Sequence, residues 1–412
     1  MRVTKLETLR LDSIPTLLFV RIHTDEGLTG LGETNVGAQA VEAYLHESVA
    51  SRLLGRDPSD IEELSVQLYD AFVGYGGTGV ETRGNSAVDI ALWDIAGEMS
   101  GQPLYQLLGG RVRRDIRTYN TCAGYGYVHH GGGSPRRPSG PYEDLDAFLN
   151  RADELAQSLL AEGINGMKIW PFDHWALESR GAAISKEGLK AALEPFEKIR
   201  RSVGDRIDIM VELHGLWQLP GARQIVKALE DYRPFWIEDP IKAHDLEAVA
   251  DLRHWTATPI TLGETLGWRW AFKELVRARA ADIVMFDVGW VGGITEAKKV
   301  AALVGAAALP VAPHDCTGPV AFVAGTHLSV HLPNAVIQES VRAYYTGWYR
   351  DLVTNLPIIE EGRIRPPEGP GLGTELLPGL EMRSDVHVRV SDLDSPPPWV
   401  WRSHMDTAPS NG

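Results

Sequence analysis

Three short apolar segments in the middle of the chain each end in a glutamate. These residues are Glu212, Glu238 and Glu264, and 26 residues separate each from the next. Amphipathic stretches at residues 221–231 and 245–254 lie between the apolar segments. This regular alternation of strand and helix is typical of a parallel β/α barrel, in which the carboxyl ends of all the strands meet at one rim.

Carboxylates gathered at one rim repel one another unless a cation lies between them. A single glutamate at a strand end more often only caps the strand, but three at an equal period favour a metal site. Several oxygen ligands are the set that Mg²⁺ prefers in proteins. We therefore predict that Glu212, Glu238 and Glu264 bind Mg²⁺.

Two further residues could move a proton beside this metal. Asp287 ends the sixth strand-like segment, and His314 ends the seventh, 27 residues later. A carboxylate that is hydrogen-bonded to one imidazole nitrogen fixes the tautomer and raises the basicity of the other nitrogen. Because the ends of neighbouring strands can make that bond, we predict that the two residues form an Asp–His pair.

The elements that must position these side chains fill residues 116–339. Apolar runs predict eight strands, at residues 117–123, 166–171, 209–212, 235–238, 259–264, 282–287, 310–313 and 335–338. Helical periodicity predicts helices between them, including residues 145–162, 186–203, 295–304 and 320–331. A barrel of this kind takes roughly 250 residues, which fits the length of this region.

A second unit precedes the barrel. Residues 1–34 indicate an antiparallel meander with a turn at Thr24-Asp25-Glu26-Gly27, and helices follow, with a glycine-rich loop at residues 74–84. We predict an N-terminal domain at residues 1–115, completed by about residues 340–390, a barrel domain at 116–339 and a loose tail at 391–412.

Composition and charge restrict the partners. The chain has 412 residues and a formal net charge of −15, which argues against nucleic acid or an anionic membrane as its main partner. Two cysteines are too few for a disulfide framework. No run approaches the ~18 apolar residues of a membrane span, and we expect no signal peptide. We therefore expect a cytoplasmic protein.

The chain resembles the enolase superfamily, in its mandelate racemase branch, over about residues 1–390. The resemblance rests on motifs that occur in the family's order. They are the Thr24–Gly27 turn, residues 87–97, Trp236-Ile237-Glu238-Asp239-Pro240, Gly263-Glu264, and Asp287 followed by Gly292-Gly293-Ile294-Thr295. The resemblance implies a modified TIM barrel of the (β/α)7β type with an α+β N-terminal capping domain. It also implies a homo-oligomer.

The resemblance also assigns roles to particular residues. Glu212, Glu238 and Glu264 correspond to the metal ligands, although the first ligand of this branch is often Asp. Asp287 and His314 correspond to a general base or acid. Glu339 corresponds to a glutamate that helps to stabilise an enolate, and we expect it in its protonated form. We expect the capping domain to close over the substrate.

Strand two departs from the racemase pattern Lys-x-Lys. Here the residues are Lys168-Ile169-Trp170, so the second lysine is replaced by a side chain that cannot take a proton. Because side chains alternate along a strand, residues 168 and 170 share a face, and Lys168 could reach a substrate carboxylate. Alternatively, Lys168 is simply a solvated lysine at the end of the barrel.

His214 lies two residues beyond Glu212 and faces inward by the same alternation. A histidine in this place resembles the general acid of the family's sugar-acid dehydratases, of the galactonate and mannonate types. We therefore predict dehydration of a sugar acid to a 2-keto-3-deoxy acid, with Asn35, Trp170 and Asp173 contacting the substrate. Two alternatives remain open: epimerisation, cycloisomerisation or lactone chemistry on the same enolate, and a non-catalytic metal-binding barrel.

Overall fold

A computed structural model describes residues 1–70, 77–127 and 142–394. The first unit is built on an antiparallel sheet whose strand order is β14-β1-β2-β3. Its strands are β1 (Val3–Leu11), β2 (Leu17–Thr24), β3 (Thr29–Asn35) and β14 (Val386–Asp392). The end of the described chain therefore returns to pair with its beginning, with Leu6 opposite Ser391.

Helices cover one face of this sheet and continue toward the second unit. They are α1 (Ala38–Tyr44), a π-helical turn (Leu45–Val49), α2 (Ala50–Leu53), α3 (Ile61–Asp70), α4 (Val80–Ser100) and α5 (Leu104–Leu107). Helix α4 packs on β3 at very short range because β3 carries two glycines. A Cβ on Gly30 would lie 2.0 Å from the carbonyl oxygen of Ala91. A Cβ on Gly32 would lie 1.8 Å from the carbonyl oxygen of Ala87. No larger residue fits at either position.

The second unit is a barrel of parallel strands. In the described part of the chain these are β4 (Ile116–Thr121), β5 (Gly166–Ile169), β6 (Asp208–Glu212), β7 (Trp236–Glu238), β8 (Ile260–Leu262), β9 (Ile283–Asp287), β10 (Val311–His314) and β11 (Gln338–Ser340). Each pairs with its neighbour from β4 to β10. The barrel closes where β11 pairs with β4 and Ala335 bridges to Val311.

Helices separate successive barrel strands and form the outer layer. They are α6 (Asp144–Asn150), α7 (Ala152–Ala161), α8 (Asp173–Ser179), α9 (Lys186–Val203), α10 (Leu219–Leu229), α11 (Leu246–Trp255), α12 (Trp268–Ala278), α13 (Gly293–Ala306) and α14 (Pro319–His331). In α9, Ala192, Phe196, Ile199 and Val203 recur every three or four residues and are buried, which gives the helix one apolar face toward the barrel.

The chain after the barrel returns to the first unit. It contains α15 (Arg342–Tyr345), a hairpin of β12 (Ile358–Glu360) and β13 (Arg363–Arg365) that extends the barrel sheet at β4, and short 3₁₀ turns. The predicted (β/α)7β barrel with an α+β N-terminal domain is therefore confirmed. Among the described residues no helix is long and apolar enough to cross a membrane.

Several boundaries differ from the sequence-based expectation. The eighth strand is Gln338–Ser340 rather than residues 335–338, because its backbone pairs with β4 only from Gln338 onward. Helix α4 begins at Val80, inside the expected glycine-rich loop at 74–84, of which residues 74–76 lie outside the described part. Residues 391 and 392 belong to β14, whereas the loose tail was expected from 391, and residues beyond 394 lie outside the description.

Candidate active site

A pocket of about 370 Å³ lies at the carboxyl ends of the barrel strands, between the barrel and the first unit. The barrel contributes ionisable side chains to its wall, and the first unit contributes residues at the beginning of β2 and the end of β3. The lining includes Lys168, Glu212, His214, Glu264, His314 and Glu339 from the barrel, and Thr16, Asn35 and Val36 from the first unit.

The three spaced glutamates converge beside this pocket. One carboxylate oxygen from each of Glu212, Glu238 and Glu264 lies within 4.8 Å of the other two. Glu212 and Glu238 end neighbouring strands and stand directly opposite each other in the sheet. Glu264 follows Gly263, whose φ of +126° turns the chain after β8, and a Cβ at Gly263 would lie 2.5 Å from the carbonyl oxygen of Met285. The glycine therefore permits the turn that brings Glu264 beside Glu212 and Glu238, and we call these three residues the glutamate cage.

The three carboxylates fit a hard divalent cation. Oε2 of Glu212 is buried and has no hydrogen-bond partner, which leaves it available as a ligand. Burial, together with the neighbouring carboxylates, raises the pKa of Glu212 and of Glu238 above its ordinary value. Three ionised oxygens at this spacing therefore need a positive charge between them, and an all-oxygen set is the kind that binds Mg²⁺.

Asp287 and His314 form the expected pair at the ends of β9 and β10. Nδ1 of His314 lies 2.7 Å from Oδ2 of Asp287, while Nε2 lies 3.2 Å from Oε2 of Glu264. Burial lowers the pKa of His314, but the charges of Glu264 and Glu339 and the hydrogen bond to Asp287 outweigh burial and raise it well above its usual value. A cation between the three glutamates would offset part of that negative field.

His214 belongs to a second Asp–His pair, which was not predicted from the sequence. Its Nδ1 lies 2.7 Å from Oδ2 of Asp173, at the start of α8. Burial lowers the pKa of His214, but the charge of Glu212 and the hydrogen bond to Asp173 raise it to about 10. The backbone N–H of His214 also donates to Oε1 of Glu212 at 2.5 Å, and its φ of +49° lies in the left-handed region. A strained backbone conformation of this kind, held by its surroundings, is common at functional sites.

Lys168 is buried among carboxylates rather than solvated at the barrel end. Its Nζ lies 2.6 Å from Oε1 of Glu238, 3.0 Å from Oε1 of Glu339 and 3.6 Å from Oε2 of Glu212. The side chain is 3% exposed, which excludes the solvated alternative. Lys168 is therefore a buried positive charge between Glu238, a candidate metal ligand, and Glu339 of β11.

The neighbours of Glu339 oppose the protonated form that was expected for this residue. Burial raises its pKa, but the charges of Lys168 and His314 outweigh burial and lower the pKa to about 2. The Thr121 hydroxyl and the Asp315 N–H, the latter at 2.9 Å from Oε2, donate hydrogen bonds to the carboxylate. These neighbours favour the ionised form of Glu339. Its partner Thr121 was not identified from the sequence.

The three residues expected at the substrate have different positions. Trp170 lines the pocket and packs edge-on to the His214 ring, with 5.9 Å between ring centroids. Asn35 also lines the pocket, but its side-chain nitrogen donates to the Thr317 carbonyl oxygen at 2.9 Å. Asp173 holds His214 instead of lining the pocket. The adjacent histidines His129 and His130 lie outside the described residues.

Family models match both units of the chain. Residues 11–109 match the family described as mandelate racemase / muconate lactonizing enzyme, N-terminal domain. Residues 151–379 match the family described as enolase C-terminal domain-like. The two matches follow one another in the same order as the two units of the fold.

Individual relatives match along nearly the whole chain. The chain is 34% identical over 419 residues to a D-galactonate dehydratase of Ralstonia pickettii (strain 12J), with 98% of each protein covered. It is also 34% identical over 412 residues to a D-galactonate dehydratase of Klebsiella pneumoniae (strain 342), with the same coverage. A solved enolase of the mandelate racemase subgroup from Agrobacterium tumefaciens, with a succinimide residue, is 51% identical, with a TM-score of 0.86 over 96% of this chain and 100% of that chain.

Proposed function

The chain belongs to the enolase superfamily and is an enzyme of the hydro-lyase class, and from this premise we propose that it dehydrates a sugar acid. The substrate would carry a carboxylate at C1 and hydroxyls at C2 and C3. The product would be a 2-keto-3-deoxy acid. D-galactonate, the acid in the names of the curated relatives, is the first candidate.

One observation carries this proposal: two Asp–His pairs lie against one pocket that also contains the glutamate cage. His314 is held by Asp287, and His214 is held by Asp173, each through Nδ1 at 2.7 Å. Both imidazoles line the pocket. Removal of water from a sugar acid needs one group that takes the C2 proton and another that protonates the leaving hydroxyl.

In the first step we assign the base to His314. Nδ1 of His314 faces Asp287, so the other nitrogen, Nε2, would be the atom that takes the C2 proton. The electron pair of the broken C–H bond moves into a C1–C2 double bond, which gives an enediolate. Lys168 and Glu339 lie beside the cage, where they hold its charges in place.

In the second step we assign the acid to His214. An imidazolium that donates a proton to a departing hydroxide typically contributes ~10²–10⁴-fold, because hydroxide itself is a poor leaving group. The C3–O bond breaks as a C2–C3 double bond forms, water leaves, and the resulting enol becomes the 2-keto acid. Asp173 keeps the imidazole oriented for that transfer.

The cation is part of this proposal. Glu212, Glu238 and Glu264 would hold it, and Mg²⁺ is the candidate because the ligands are carboxylate oxygens. When bound, it would supply positive charge where the enediolate becomes negative.

Trp170 supports dehydration over racemisation. A racemase needs a proton-transfer group on each face of C2, and Trp170 occupies the position of the second lysine in the racemase pattern. The indole packs against Phe148 and Tyr127, with ring centroids 5.0 and 5.4 Å away, and it makes an edge contact with the His214 ring. Lys168 is not a substitute base because three carboxylates surround its ammonium group.

A panel of aldonic and aldaric acids tests the proposal. The purified protein with Mg²⁺ would be incubated with each acid, and the products would be analysed by mass spectrometry. Dehydration removes the mass of one water, whereas epimerisation or cycloisomerisation leaves the mass unchanged. Loss of water from one acid supports the proposal. Isomerisation alone, or no reaction with any acid while Mg²⁺ is bound, contradicts it.

A further inference from the structure

One face of helix α4 carries polar side chains that contact the barrel loops beyond β9. Thr82, Ser86, Asp89 and Trp93 recur every three or four residues, so they form one stripe along the helix. Three of them bond to the segment that begins α13: the Ser86 hydroxyl accepts from Gly292 N–H at 2.9 Å, Asp89 Oδ1 accepts from Thr295 N–H at 3.0 Å, and Trp93 Nε1 donates to the Thr295 hydroxyl at 2.9 Å.

Residues 288–292 lead directly from Asp287 to α13. We call this segment the dyad loop, because it follows Asp287 of the Asp287–His314 pair. Within this segment, Gly289 N–H donates to Oδ1 of Asp287 at 2.7 Å. The N–H groups of Trp290 and Val291 donate to the Asp287 carbonyl oxygen at 3.0 and 2.8 Å. The position of the dyad loop therefore determines where the Asp287 carboxylate points.

Two residues of the N-terminal domain contact the dyad loop from the opposite side. The Thr34 hydroxyl, at the end of β3, donates to the Gly289 carbonyl oxygen at 2.9 Å. The Arg83 guanidinium, in α4, lies 4.3 Å from the centre of the Trp290 ring. Trp290 in turn lies against His314, with 5.3 Å between ring centroids. Arg83 is itself held by a 3.2 Å hydrogen bond to the Asn35 carbonyl oxygen.

We propose that Thr34 and Arg83 are positioning residues for proton abstraction, because they hold the dyad loop and Trp290 against the Asp287–His314 pair. This inference rests on the proposed function, which assigns the base to that pair. Neither Thr34 nor Arg83 lines the pocket, so neither would act by touching the substrate. The N-terminal domain would then help to set the rate of the chemical step as well as enclose the substrate.

The two roles of the N-terminal domain predict different kinetics. If it only encloses and recognises the substrate, loss of these contacts raises KM. If it positions the base, the loss lowers kcat and leaves KM nearly unchanged, because a misplaced base slows reaction after the substrate is bound. Arginine over an indole face is a favourable cation–π contact that lysine can partly replace.

The test uses Thr34→Val, which removes one hydroxyl at nearly constant shape, and Arg83→Met, which removes the cation but keeps an unbranched stem. Each is assayed with Mg²⁺ and the acid that the wild-type enzyme dehydrates, beginning with D-galactonate. We expect kcat to fall ~10-fold or more with KM changed by less than about twofold. The deuterium isotope effect on kcat for C2-deuterated substrate should increase, because proton abstraction becomes slower. Arg83→Lys should recover most of kcat.

Matched controls are Thr29→Val, on the same strand but facing His23, and Arg56→Met, in an exposed pair with Glu63. Both should behave as the wild type. An increase in KM at unchanged kcat, an unchanged isotope effect, or the same loss of kcat in the controls overturns the proposal. Absence of turnover by the wild type would overturn the proposed function, whereas a normal wild type with unaffected variants overturns only the positioning role.

Discussion

Nδ1 of His214 lies 2.7 Å from Oδ2 of Asp173, and this contact joins β6 to a helix that is inserted after β5. The carboxylate fixes the imidazole so that Nε2 is free to face the pocket. His314 and Asp287 have the same Nδ1–Oδ2 separation of 2.7 Å. Two oriented imidazoles at one pocket suit a reaction that takes a proton from one carbon and gives one to a leaving group on the next.

Asp173→Asn should slow dehydration while leaving proton abstraction intact. The amide keeps the size of the carboxylate but not its charge, so His214 is held less firmly in the donating form. We expect kcat for dehydration to fall by ~10–10²-fold, within the contribution of a general acid. Product formation followed by NMR measures this. The exposed variant Asp251→Asn is the control, and product formation at the wild-type rate in Asp173→Asn would rule out the role of Asp173.

Glu238→Gln should abolish both metal binding and activity while the fold is retained. The substitution removes one charged ligand of the cage and one partner of Lys168, whose Nζ lies 2.6 Å from Oε1. Calorimetric titration with Mg²⁺ measures binding, and circular dichroism measures the fold. Glu247→Gln, at an exposed site on α11, is the control and should bind as the wild type does. Undiminished Mg²⁺ binding by Glu238→Gln would contradict the assignment of the cage.

Acid should destabilise the protein partly through His327, in helix α14. This side chain is fully buried, accepts from Tyr105 N–H at Nδ1 and lies 3.1 Å from the Leu372 carbonyl oxygen at Nε2. Burial lowers its pKa to about 4, against a partly compensating effect of the bond to Leu372. Because the folded pKa lies below the unfolded one, the unfolded chain binds a proton that the native protein does not. Stability is therefore lost as the pH falls from about 6.5 toward about 4.

His327→Gln provides the measurement for this effect. Glutamine stays neutral and can donate to Leu372. Over that pH range, the free energy of unfolding of the variant should therefore decrease by ~3 kcal/mol less than that of the wild type. Denaturant unfolding at several pH values measures the slope. His387→Gln, at an exposed histidine, is the matched control. Equal slopes in the wild type and His327→Gln would show that His327 binds its proton equally well in the native and the unfolded protein, contrary to the prediction.

The barrel, the glutamate cage and the Asp287–His314 pair could be predicted from the sequence because each depends on where strands end. Three apolar segments that each end in a glutamate, at a constant spacing of 26 residues, predict three carboxylates at the rim where parallel strands end. The Asp173–His214 contact could not be predicted, because its partners lie 41 residues apart and the direction of α8 depends on packing. The lowered pKa of Glu339 depends in the same way on Lys168 and Thr121, which approach it only in the closed barrel.

The sequence of α4 contains a pattern that predicts its polar contacts. Thr82, Ser86, Asp89 and Trp93 place polar groups along one face of a helix whose other positions are largely apolar. A polar stripe at helical spacing within a buried helix indicates a partner that needs hydrogen bonds. The identity of that partner, the loop beyond Asp287, required the structure.

The most direct test of the central claim follows both proton transfers in one sample. His214→Asn is incubated in D₂O with Mg²⁺ and the acid that the wild-type enzyme dehydrates, and NMR records deuterium entry at C2 and formation of the keto-deoxy acid. We expect deuterium to enter through His314 while keto-deoxy acid formation falls by ~10²-fold or more. Keto-deoxy acid formation at the wild-type rate, or loss of both signals in a folded, Mg²⁺-binding variant, would contradict the assignment of two separate histidines to the two steps.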